Sequence, residues 1–142
     1  MANIREGDLM PKCEMDLVGM DELINKLTDM GRKGTVAMSK ALEKGAAPIL
    51  ENMKTTGMFD DRTGDLRKSL KISKVKTRKS GKYIWIGDID REAPYGWYVE
   101  NGTSDKEARP FMRTAYREEK AKALSIIREE MANALKEITK GD

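Results

Sequence analysis

No histidine occurs in the 142 residues, and cysteine occurs once, as Cys13. The missing histidine excludes histidine-based triads and imidazole acid-base chemistry. A lone cysteine excludes an intrachain disulfide and, without histidine, a Cys/His zinc site built from one chain. Long apolar runs are also missing. None approaches the roughly 18 to 20 residues that span a bilayer, and the opening "MANIREGDLM" is charged, without the apolar centre of a signal peptide. The expectation is a soluble chain, made and used in the cytoplasm, with no membrane partner. Gly31 and Gly34 lack the spacing and the Lys-Ser/Thr ending of a phosphate loop, and neither Ser69 nor Ser80 has a base in view. No catalytic group and no cofactor site is legible, so the chain is expected not to be an enzyme.

What is present is charge and helical periodicity. Charged residues make up 36% of the chain and hydrophobic ones 39%, with a mean hydropathy of -0.66, which leaves enough patterned apolar residues for one modest core. Net charge is only +3 but unevenly spread: Arg62 to Lys82 holds nine Lys/Arg against one acid, Asp65. Such a stretch can bind nucleic acid or an acidic protein surface. Lysines on a sheet edge also simply discourage aggregation, and no aromatic stacking ladder accompanies these.

Residues 1–14 show no clear period and read as a flexible N-terminal arm; 15–142 read as a single α+β domain. Met15, Leu17 and Met20 suit a short strand, and Asp21 suits the cap of a helix carrying Leu23, Ile24, Leu27 and Met30. "GRKG" at 31–34 bends or interrupts that helix. Helical spacing resumes through Val36, Met38, Ala41, Leu42, Ala46, Ile49, Leu50 and Met53, ending at Gly57, with Pro48 inside it. "MFDDRTGDLRKSL" is turn chemistry. Leu70 and Ile72 then alternate with lysines, and Val75 falls one residue out of phase, as at a bulge. In "YIWIGD" Ile84 and Ile86 share one face while Tyr83 and Trp85 share the other, so both faces call for cover, by helices on one side and a partner subunit on the other. "YGWYVENG" alternates like a further short strand. Pro110 opens a last helix with Leu124, Ile127, Met131, Leu135 and Ile138 along one stripe. The predicted fold is a small antiparallel β-sheet packed against long α-helices, the longest being C-terminal. Ten methionines, more than this core requires, are candidates for core or interface filler.

Two stretches are candidate sites. Asp88, Asp90 and Glu92 alternate like the start of a calcium loop, but Ala93 stands where glycine is needed and Val99 where a bidentate glutamate belongs. No metal is therefore assigned, and these acids read as solvated. "YVENGTSDKEARPF" has the parts of a built corner: Gly102 for a turn, Thr103 for local amides, Pro110 for a helix start. Composition alone leaves it open between a strand-to-helix connection anchored by Phe111 and a binding loop.

"YGWYVENGT" followed closely by "ARPFMRTAY" resembles the signature of bacteriophage head-tail joining proteins, also called tail-completion or neck proteins. "GMDELINKL" and "TGDLRKSL" are similar to two earlier elements of that family and come in the same order. Where the family commonly has proline before its Thr-Gly, this chain has "GMFDDRTG". The resemblance implies structural roles. Glu100, Gly102 and Thr103 would shape the corner, Arg109 and Pro110 would fix the helix entrance, Phe111 would plug the core, and Arg67 and Ser69 would sit where loop becomes strand. It also implies a homo-oligomeric ring, typically hexameric, between the head-side connector or stopper proteins and the tail tube protein. Such a ring lies in the virion neck, is assembled in the host cytoplasm, and has genomic DNA possibly passing through its lumen. Tyr83, Trp85, Trp97, Arg67, Lys71, Lys74 and Lys76 are the interface candidates. The alternative is a small basic nucleic-acid-binding module using residues 62–82.

Overall fold

The computed structural model describes residues 12–17, 20–60, 64–79 and 81–140. Along the chain come β1 (Lys12–Asp16), α1 (Asp21–Asp29), α2 (Arg32–Thr55), α3 (Asp65–Ser69), β2 (Leu70–Ile72), β3 (Lys76–Arg78), β4 (Gly81–Asp88), α4 (Gly96–Asn101) and α5 (Phe111–Lys140). The architecture is α+β, as the hydrophobic periods require: one small antiparallel sheet with the long helices α2 and α5 over its inner face.

β4 is the axis of the sheet. β1 pairs along one side of it, and β2 and then β3 pair along the other, all antiparallel. From Ile72↔Ile86 to Lys76↔Tyr83 the β2–β3 strand advances four residues while β4 advances three, so one residue is extra. This is the bulge predicted from Val75. Ser73 manages it: its amide donates to the Trp85 carbonyl at 2.8 Å, and its hydroxyl accepts the Trp85 amide at 2.9 Å. A side-chain oxygen thus replaces the ladder carbonyl that the bulge displaces.

The core forms where Ile84, Ile86, Leu70 and Met15 meet the apolar stripes of α2 and α5. Gly45 lets those helices approach closely, because a Cβ there would overlap the Ile127 side chain. α5 buries Ala115, Ala123, Ile127 and Met131 at four-residue spacing, with Leu124, Leu135 and Ile138 partly covered beside them.

Several expectations change. The arm shortens, since Lys12, Cys13 and Glu14 belong to strand β1, where alternation buries Cys13 and Met15 against the core; residues 1–11 lie outside the described residues. "YGWYVENG" is not a strand. Gly96–Asn101 is helical, burying Ala93, Gly96 and Glu100 at three-to-four spacing, and the aromatic alternation that suggested a strand leaves Tyr95 and Tyr98 exposed. The turn before β2 contains the five-residue helix α3, which buries Leu66 and Ser69; Asp61, Arg62 and Thr63 lie outside the described residues. Six methionines, Met15, Met20, Met38, Met53, Met112 and Met131, are core, while Met58 is exposed. Val36, assigned to the core stripe of α2, is instead exposed.

Candidate functional site

The corner residues converge on the start of α5. Pro110 stands just before the helix; its carbonyl accepts the Thr114 amide at 3.0 Å, but its ring offers no side-chain acceptor for the first amides. The first amides of a helix have no partner within it. Here Phe111 donates to the Arg109 carbonyl at 2.7 Å, Met112 donates to one Glu100 carboxylate oxygen at 2.7 Å, and Arg113 donates to the other at 3.3 Å. Glu100 is a remote cap, reaching across from α4. An anion at this end also suits the helix dipole. The Arg113 side chain completes the arrangement, giving its Nε to the same carboxylate at 2.7 Å and an Nη2 to the Glu100 carbonyl at 2.9 Å. The Glu100 side chain is 7% exposed and the Arg113 side chain 48%.

Gly102 makes the return possible. Its φ is +77°, and a Cβ would stand 2.7 Å from the Ala108 amide nitrogen. Arg109 donates its amide to Val99 at 2.7 Å, while the Thr103 hydroxyl accepts the amides of Asp105 and Lys106. The stretch is therefore a helix-to-helix corner, not the strand-to-helix one its alternation suggested. Phe111 is fully buried, with its ring 4.6 Å from that of Phe59.

Arg67 performs the matching task at the same end of the helix pair, where α2 finishes beside the start of α5. Its guanidinium donates to the carbonyls of Lys54 and Thr56, both at 2.7 Å, and Phe59 at 3.0 Å, and lies over the Phe59 ring. A cation thus closes the C-terminal end of α2, as the dipole favours. Asp88, expected to be solvated, is fully buried. Its carboxylate accepts the amides of Glu92 at 2.9 Å and Ala93 at 2.8 Å, because the turn after β4 leaves those donors facing it. Ser69 is buried with its hydroxyl donating to Leu66.

The outer sheet face is built differently. The ammoniums of Lys12 and Lys76 lie 3.5 and 3.6 Å from the Trp85 ring centroid. Two cations that close to one centroid cannot share a face, so they sandwich the indole. Trp85 Nε1 donates to Glu14 at 3.1 Å; Glu14 also pairs with Arg78, which covers the Tyr83 ring. The chain's own cations lie over these aromatics, which stay half-buried beneath them. Lys71 pairs with Asp90, and Lys74 is exposed. Trp97 is half-buried against Tyr98, and its indole N–H is buried with no acceptor among the described residues. Arg62 and Ser80 lie outside the described residues.

The structure brings Glu100, Gly102, Thr103, Arg109, Pro110 and Phe111 together at one corner, and Tyr83, Trp85 and Lys76 together on the outer sheet face. Arg67 belongs to neither, although Phe59 connects it to Phe111. Asp88, Phe59 and Arg113 escaped sequence reasoning. Asp88 alone had a local signal, since an aspartate ending a strand before a turn is placed to accept amides further on. Among the described residues no three His, Cys, Asp or Glu side chains gather as a metal site, and no helix is long and apolar enough to cross a membrane. Burial, and secondarily the negative charge of Glu100, push the Cys13 thiol up to about 12, leaving it an unreactive core residue.

No curated protein and no solved structure matches the chain. One family profile does match, described as "Bacteriophage HK97-gp10, putative tail-component", over residues 21–102. The matched stretch begins with α1, includes Arg67 and Asp88, and ends at Gly102, so it takes in the α2 clasp and the α4 side of the corner. It covers more than half of the sequence, and on that ground the chain belongs to the HK97-gp10-like family of bacteriophage proteins.

Proposed function

We propose that this chain is a structural subunit of a bacteriophage or prophage virion, a head-tail joining or tail-completion protein that forms a ring, hexameric by the family resemblance, between the head-side connector and the tail tube. It works by assembly and not by catalysis. The observation that supports this most directly is how Glu100, Asp88 and Arg67 spend their charges. Both carboxylate oxygens of Glu100 and of Asp88 accept backbone amides, and the Arg67 guanidinium is given to backbone carbonyls. Groups consumed by main chain hold a scaffold in shape and are themselves unavailable to a substrate. A rigid scaffold suits a subunit that must present fixed surfaces to identical neighbours.

Class averages from electron microscopy of the purified protein, alone and mixed with tail tube protein, test the reading. Rings with a central bore are the expected result. A strictly monomeric protein at every concentration, with and without tube protein, overturns it.

The competing function, nucleic-acid binding through residues 62–82, draws on the exposure of Lys74 and Lys79. Against it stand the commitments of Arg67, Lys71, Lys76 and Arg78 to partners within the chain. Labelled DNA that shifts at low salt, and loses the shift when Lys74 and Lys79 are neutralised, would favour it.

A further inference from the structure

The sheet has two open edges. β1 and the β2–β3 strand each pair only with β4 among the described residues. An open edge is a template for another strand, and here a cleft runs beside each one. The cleft at the β1 edge, of about 250 Å³, is lined by Met15 and Asp16 from the strand and by Tyr116, Lys120, Ala123 and Leu124 from α5. The cleft at the bulged edge, of about 350 Å³, is lined by Ile72, Ser73 and Lys74 from the strand and by Glu43 from α2.

The charges of the two clefts are opposite at both levels. In the sheet layer Asp16 stands at one edge and Lys74 at the other; in the helix layer Lys120 stands above one and Glu43 above the other. All four are exposed, and Asp16, Lys74 and Glu43 make no ion pair among the described residues. β1 meeting β1 in the register centred on Asp16 would set Asp16 against Asp16, with Lys120 in the layer above each. At the bulged edge Lys71 and Arg78 are paired within the chain, so Lys74, with Lys76 beside it, is the charge that would meet its own kind in a second copy. Unlike edges attract where like edges repel, which selects one contact by excluding the others. The apolar linings agree, because joining the clefts sets half-buried Ile72 toward Met15 and Leu124.

We propose that copies of the chain join head to tail through these edges, β1 of one copy beside the β2–β3 strand of the next, with Asp16 meeting Lys74 and Lys120 meeting Glu43. β1 and β2 both run antiparallel to β4, so they run parallel to each other, and rotation about an axis along the strands preserves that direction. A contact between two different surfaces gives rings where the rotation closes and open filaments where it does not, but not two-fold dimers. The inference rests on the ring reading above and names the surfaces that would make it.

Two experiments on the full chain test it. Within one chain Asp16 and Lys74 flank β4, about two strand spacings or 9 to 10 Å apart, beyond the roughly 7 Å a disulfide can bridge. Oxidising Asp16→Cys/Lys74→Cys should therefore give a ladder of covalent multimers on a non-reducing gel, and neither single variant should. In sedimentation, Lys74→Glu and Asp16→Lys should each weaken self-association by about tenfold or more, and the double swap should restore it. If wild type forms rings but the swaps change nothing and no ladder appears, the edges are not the contact, although the ring reading survives. Two-fold dimers as the end state overturn the proposal. Wild type that never assembles, alone or with tube protein, sinks the ring reading itself.

Discussion

The α4–α5 corner and the outer face of the sheet are both rich in charge, yet they use it in opposite ways. At the corner, Glu100 is nearly buried and spends its oxygens on two backbone amides and an arginine. On the sheet, the side chains of Glu14, Arg78, Lys71 and Asp90 pair with one another while remaining 36 to 53% exposed. Hydrogen bonds from main chain to a buried carboxylate are short, fixed in direction and costly to leave unmade. Exposed ion pairs are screened by water and salt and are worth little. One region therefore fixes the path of the chain, while the other can change its charges with little effect on the fold and is free to be shaped by what it touches.

The comparison can be tested by substitution. Phe111→Ala removes the ring that joins the corner to the core through Phe59 and should cost about 3 to 5 kcal/mol in urea unfolding. Glu100→Ala leaves the Met112 amide without a partner and Arg113 without its anion, with an expected loss of about 2 to 3 kcal/mol. Glu100→Gln, which keeps one acceptor oxygen, should lose less. Arg67→Lys cannot reach three carbonyls at once and should cost about 1 to 2 kcal/mol. Lys71→Ala and Arg78→Ala break the sheet-face pairs and should each cost less than about 1 kcal/mol, shrinking further with added salt. A Glu100→Ala protein as stable as Lys71→Ala would erase the distinction between the two regions.

The elements with strong periods were legible. α2 and α5 repeat apolar residues every three to four positions, and β4 alternates Tyr83 and Trp85 with Ile84 and Ile86, so a helix layer over a small sheet followed from residue order. The bulge near Val75 followed from a break in phase. α4 was misread because Tyr95, Trp97 and Val99 alternate as a strand does, whereas its buried side is fixed by the bonds of Glu100 to the start of α5. Glu100 was picked out as a corner residue, but its part as a cap was not visible, since the amides it serves lie 12 and 13 residues further on.

Sequence alone determined that histidine chemistry and intrachain disulfides were unavailable, that long amphipathic helices would cover a sheet, and that Gly102 and Pro110 would mark a corner. These follow from residue type and local period, which act over a few positions. Only the tertiary structure decided that Asp88 is buried, that Trp85 is sandwiched by Lys12 and Lys76, and that two sheet edges carry opposite charges in two layers. Each of these depends on residues that are distant in the chain and meet only when β1, β4 and the two long helices have packed, and no local pattern records such a meeting.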